Sequence, residues 1–164
     1  MHYTVKLIVQ ADDREKALAN AESYAESLCN SGGPFDSYDM NGGWGKSEAV
    51  ALSSKRGKKL LTEGMNSSRR EFDEALGCVK YMLEHFTDDQ IYEDNYKSLD
   101  DVEKPKGIGY LDRWQFGRIT GHGDSSYVYA EGSIWGGPIK NQTDLRNATA
   151  GETNLWIVQV DFHN

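Results

Sequence analysis

A chain of 164 residues with 38% apolar and 11% aromatic residues can bury one core, and needs no second one. Its formal charge of −8 and pI near 5.0 argue against duplex nucleic acid or an anionic membrane surface as partner, since both call for a basic face. No apolar run approaches the roughly 20 residues that span a bilayer. Met1, His2 and Tyr3 lead directly into a strand pattern without a charged start or an apolar leader. Cys29 and Cys78 lie outside any CxxC or Cys/His cluster, so free buried thiols in a reducing, cytoplasmic setting are expected.

Residues 3–10 alternate, with Tyr3, Val5, Leu7 and Val9 on one face and Thr4, Lys6, Ile8 and Gln10 on the other. That is the pattern of a half-buried strand. Asp12 or Asp13 can cap a helix running to about Leu28, with a stripe of Ala17, Ala21, Tyr24, Ala25 and Leu28. Residues 30–46 carry the glycine, proline and asparagine of a loop. Phe35, Tyr38 and Trp44 within it imply a segment that folds back on the body or forms a site.

A short strand is expected in residues 47–53. The basic run Lys55, Arg56, Lys58 and Lys59 reads as a solvated turn or as a phosphate-steering patch. Ser68 and Glu71 form a capping-box pattern, and Phe72, Ala75, Leu76, Val79, Met82, Leu83 and Phe86 follow at helical spacing. Residues 87–107 are acidic and weakly patterned, and read as a short helix or an irregular excursion. The aromatic and β-branched runs from 108 onward read as strands. Tyr127–Ala130 and Ser133–Trp135 suit a hairpin turning at Glu131 and Gly132. Residues 136–153 read as polar loop, and 154–163 as the last strand. The partial segregation of strands and helices predicts an α+β fold, one domain over residues 1–164, with a mostly antiparallel sheet and two main helices packed on one face.

Two apparent motifs fall short. Gly45, Lys46 and Ser47 resemble the end of a phosphate-binding P-loop, but Met40 stands where its first glycine belongs. His122, Asp124 and Ser125 are neighbours on one stretch, whereas catalytic triads are assembled in space. The final strand is more informative. Asp161 and His163 are two residues apart, so both share a face with Gln159. A carboxylate beside an imidazole fixes its tautomer, or ligates a metal together with a third group such as Asp36. The bland alternative leaves His163 exposed at a frayed end and Asp161 capping a loop.

The chain resembles a loose group of small phage and mobile-element proteins. They open with a strand like residues 2–5, carry a central Trp-Asp-Trp-Tyr-x-x-Gly-Gly-Arg-Trp motif, and end in Val-Asp-x-His plus one residue. Here Phe35, Asp36, Tyr38, Gly42, Gly43 and Trp44 stand at the central spacing, and Val160, Asp161 and His163 at the end. Ser37 replaces an aromatic residue, Asn41 a glycine and Gly43 the arginine. The resemblance implies a viral or mobile-element gene setting, and a constellation in which Asp36, Tyr38 and Trp44 meet Asp161 and His163.

From this follow three functional expectations. The first is an accessory protein of counter-defence type in the host cytoplasm, binding a small aromatic or nucleotide-like ligand, or a host protein, and sequestering a host immune signal. Tyr38, Trp44 and Trp114 would stack on the ligand, and Arg113 or the cluster beginning Lys55 and Arg56 would hold phosphate. The second is a small-molecule or nucleotide hydrolase or transferase, with His163 as acid or base, Asp161 orienting it and Asp36 as a second acid. The third is an acidic inhibitor of a host protein, contacting it through residues 88–103. The same residues also suit a structural latch that binds nothing. The residues specify no cofactor, no particular metal and no oligomeric state.

Overall fold

The computed structural model describes residues 2–43, 45–97, 104–120, 126–131 and 138–163. Its elements in chain order are β1 (His2–Gln10), α1 (Arg14–Cys29), β2 (Ser37–Asp39), β3 (Ala49–Ala51), α2 (Lys55–His85), α3 (Asp88–Tyr92), α4 (Trp114–Thr120), β4 (Val128–Ala130), α5 (Gln142–Thr149) and β5 (Leu155–His163). They form two compact units: Met1–Ser68 with Ser126–Asn164, and Arg69–Ser125.

The first unit is built on a five-stranded sheet ordered β2-β5-β1-β4, with β3 also pairing β5. β5 runs antiparallel to β1 over nine residue pairs, from His2 opposite His163 to Gln10 opposite Leu155. β2 and β3 join β5 antiparallel, and only β4 lies parallel, on β1. The expected α+β class and mostly antiparallel sheet are therefore what the chain adopts.

Alternation assigns the two faces. Tyr3, Val5, Leu7 and Val9 share one face with Val158, Val160 and Phe162, and α1 lays Ala17, Ala21, Ala25 and Leu28 against them. Alanine at the contact lets the helix approach closely. Asp13 caps α1 by accepting from the Lys16 amide at 2.8 Å. The other face carries Ile8, Ile157, Val128 and Ala130, covered by Leu60, Leu61 and Met65 of α2 and Leu145 and Ala148 of α5. The long helices thus lie on opposite faces of the sheet, not on one. Gly64 marks the crossing: a Cβ there would stand 2.6 Å from Val128 Cγ2.

Residues Lys55–Lys59 are the first turns of α2, not a surface turn before it. Ser54 opens this helix, its Oγ accepting from the Gly57 amide at 3.0 Å. Ser68, expected at a helix start, lies buried inside α2. Its hydroxyl donates to Gly64 O at 3.1 Å and accepts from the Tyr127 amide at 2.8 Å. That second bond spends the serine on the approach to β4 and explains a capping pattern without a cap. α5 lies within the stretch expected to be loop. Asn141 caps it, and it offers the core little beyond Leu145 and Ala148. The second arm of the expected hairpin falls on residues 132–137, outside the described residues.

The second unit packs Cys78, Val79, Tyr81, Met82 and Phe86 of α2 against Leu111, with Ile91, Tyr96, Ile108, Phe116 and Ile119 around them. Thr87 and Gln90 cap α3 reciprocally. Residues 114–120 are helical (α4) where a strand was expected. Arg118 of α4 pairs with Glu71 of α2, both largely buried.

Candidate metal centre at the end of the central strands

The β1–β5 register sets the site. His2 stands opposite His163, Thr4 opposite Asp161 and Lys6 opposite Gln159. All six residues belong to the face that carries Ile8 and Ile157 further along, because side chains in both strands alternate with a period of two. At this end the face turns from apolar to polar.

Three donors converge there. His2 Nδ1 lies 3.0 Å from Asp161 Oδ2, and His163 Nε2 lies 3.8 Å from the same oxygen. The two imidazole rings sit edge to face, their centroids 4.1 Å apart. One ligand atom from each of the three residues falls within 4.8 Å of the others. Exposure rises outward: the Asp161 side chain is 6% exposed, His163 34% and His2 71%. Asp161 Oδ1 is buried and accepts no hydrogen bond among the described residues.

A metal with donor bonds near 2.0–2.2 Å sets its tetrahedral ligands about 3.3–3.5 Å apart. The two distances to Asp161 Oδ2 bracket that spacing. Two imidazoles and one carboxylate form a donor set suited to zinc, iron, cobalt or nickel, and a poor one for calcium or magnesium. The arrangement also leaves the outer side of the ring pair open to solvent through His2.

The neighbouring groups are structural. Lys6 is buried, and its ammonium donates to Thr4 O at 3.0 Å, on the edge of β1 beyond the end of β4. Burial lowers its pKa, against an opposing pull from Glu63. From β2, Ser37 pairs with His163 and Asp39 with Asp161, which puts both on the site face at its rim. Asp39 is exposed and accepts from the Asn41 amide at 2.6 Å, closing a local turn.

The expected constellation divides between the two faces. Asp161 and His163 come together as expected. Asp36 donates its backbone amide to His163 O at 2.9 Å, but its carboxylate is not among the donor atoms that gather at His2, Asp161 and His163. Its charge acts instead on Cys29, whose thiol pKa is raised by burial first and by Asp36 second. Tyr38 falls on the α1 face, its ring 6.2 Å from that of Phe162. Burial, then Glu22, Glu26 and Cys29, raises its phenol pKa. Trp44 lies outside the described residues.

Lys55 and Arg56 stand at the start of α2, and Arg56 pairs with Glu48 at 2.8 Å. Ala51, just before them, pairs with Trp156, which the strand rise puts roughly 20 Å from His163. Arg113 and Trp114 belong to the second unit. There Arg113 donates to Tyr92 O at 2.8 Å, and the Trp114 ring lies 5.3 Å from the Arg118 guanidinium.

His2 was not among the residues singled out from the sequence. It is the first residue of an alternating strand, on the same face as Thr4 and Lys6. Only the pairing of that strand with β5 gives it a partner.

No curated protein and no solved structure matches the chain. The family described as "Domain of unknown function (DUF7995)" has a model that matches residues 1–164, and the chain belongs to that family.

Proposed function

We propose that the protein binds a divalent transition metal of the zinc class through His2, Asp161 and His163, and presents the remaining coordination positions to a small ligand. One observation carries this: a buried carboxylate keeps one oxygen without a partner while two imidazoles converge on the other. Burying a carboxylate charge is costly, and a cation at the oxygen that faces the two imidazoles offsets that cost. Three protein donors leave a fourth position for water or for an anionic, nucleotide-like ligand. Bound water there would acquire a pKa near ~7, which is the route to the hydrolase expected from Asp161 and His163. In this reading the two residues are ligands instead of an acid–base pair. The phage or mobile-element setting implied by the terminal motifs gives such a centre a use, in capturing a host nucleotide-like signal.

The latch alternative has less to explain with these side chains. The 35–39 segment is already tied to β5 by backbone pairing and by Phe35, whose ring lies 4.3 Å from that of Phe162. Neither tie uses the carboxylate or the imidazoles.

Titration with Co2+ followed by visible absorbance, then displacement by Zn2+, tests the proposal. One equivalent should bind, with the ligand-field bands of a low-coordinate site. Asp161→Asn and His163→Ala should each weaken binding by at least ~100-fold, more than the loss of a supporting hydrogen bond would. Absence of uptake at millimolar metal, or uptake indifferent to both substitutions, refutes it.

A further inference from the structure

At the far end of β5 the first unit holds a second concavity, independent of the metal centre. Its volume is about 490 Å3, within the ordinary range for small-molecule sites. Leu52, Leu61, Leu155 and Trp156 supply its apolar lining. The three leucines are half-buried at the margin of the core cluster, so a ligand would cover apolar surface that the fold leaves open. The Trp156 indole is held in place, its Nε1 donating to Ala11 O at 3.0 Å.

The charges at this cavity decide what it would take. Lys58 and Glu152 both line it, and neither forms an ion pair among the described residues. Of the neighbouring charges, Arg56 pairs with Glu48, Lys59 with Glu63, and Asp12, also in the lining, with Lys16. Among the described lining residues, Lys58 and Glu152 are thus the charges without an ion pair, and they border an apolar wall. A plain anion such as a nucleotide phosphate would satisfy Lys58 and meet Glu152 as a like charge. A plain amine would meet Lys58 in the same way. A zwitterion with an apolar body matches all three features.

We propose that this cavity binds a small zwitterion of the aromatic α-amino-acid type, with its carboxylate toward Lys58, its ammonium toward Glu152 and its ring against Trp156 and the leucines. Lys58 and Glu152 are both exposed, so each contact should contribute a modest factor, about fivefold in affinity.

The test is NMR titration of the full chain with L-phenylalanine, 3-phenylpropionate, phenethylamine and adenosine monophosphate, read at the Trp156 indole N–H. L-Phenylalanine should saturate the shift in the millimolar range, with both single-charge analogues about fivefold weaker. Lys58→Met should erase the preference over phenethylamine, and Glu152→Gln the preference over 3-phenylpropionate. Both substitutions are at exposed positions and should leave the fold intact. The result should be the same in Asp161→Asn protein, which separates this site from the metal centre. Equal binding of the three phenyl compounds, preference for the nucleotide, or no shift with any probe overturns the proposal.

Discussion

Phe162 stands between Asp161 and His163 and points away from them, fully buried on the α1 face. Phe162→Ala should expose how far the site depends on that packing. A buried phenyl side chain removes about 200 Å2 from water, worth about 5 kcal/mol at ~25 cal/mol per Å2. Residual burial in the unfolded chain reduces this by roughly a quarter, and the cavity left behind adds some back. The expected loss is about 4 kcal/mol, a large part of the roughly 5–15 kcal/mol that stabilises a domain. Urea unfolding at about 2 kcal/mol per molar would show the midpoint falling by about 2 M. Phe162→Leu, which keeps most of the volume, should lose only about 1–1.5 kcal/mol. Phe35→Ala should cost about 1 kcal/mol less in the Phe162→Ala background, because the ring pair at 4.3 Å is already gone. A loss below about 1.5 kcal/mol with an additive cycle would mean that the Phe35 segment is not held through Phe162, and the reasoning fails.

Three further outcomes are expected. Gly57→Ala would put a Cβ 2.2 Å from Ala51 O, backbone that cannot yield cheaply, so it should cost about 3 kcal/mol in thermal or urea melts. Gly109→Ala, with nothing within 4 Å, should stay within about 0.5 kcal/mol, and equal effects at the two positions would contradict the close approach at Gly57. The Tyr24 phenol donates to Ala130 O at 3.1 Å, and burial, with Glu131 second, pushes its pKa up to about 12. Its contribution is therefore fully present below the unfolded value near ~10 and is lost as pH rises through the folded value. Tyr24→Phe should cost about 1 kcal/mol at neutral pH and flatten the decline above pH ~10 in denaturation curves; an unchanged alkaline decline counts against it. Cys29 should alkylate slowly at pH ~8 for its exposure, since burial and Asp36 raise its pKa and only the thiolate reacts. Asp36→Asn should speed that reaction, by mass spectrometry, and no change would remove Asp36 from the Cys29 side.

Much of the sheet was legible because its strands alternate cleanly: β1 and β5 could be read residue by residue, and with them Asp161 and His163. The cap at Asp13 and the alanine stripe of α1 were legible for the same reason, since both are local. What was not legible depended on pairing. β2 is three residues inside a glycine-rich loop, too short to show a period, yet it decides that Tyr38 leaves the site face. Leu60 and Leu61 directly follow the basic run, which masks the apolar side of α2, so the covering of the second sheet face went unread. Ser68 mimics a cap because the partner of its hydroxyl, the Tyr127 amide, is 59 residues away. His2 carries no local mark, and becomes a ligand candidate only through a partner 159 positions along the chain.

That separation has a kinetic consequence. The ladder joining β1 to β5 unites the first and last strands, so closing it requires a loop of nearly the whole chain, and contacts of such high order form slowly. On a ribosome β1 is made before β5, and its edge toward β5 stays unpaired until β5 has emerged. The three donors cannot assemble in any intermediate that lacks β5. Uptake at the proposed centre would therefore report a closed β1–β5 ladder.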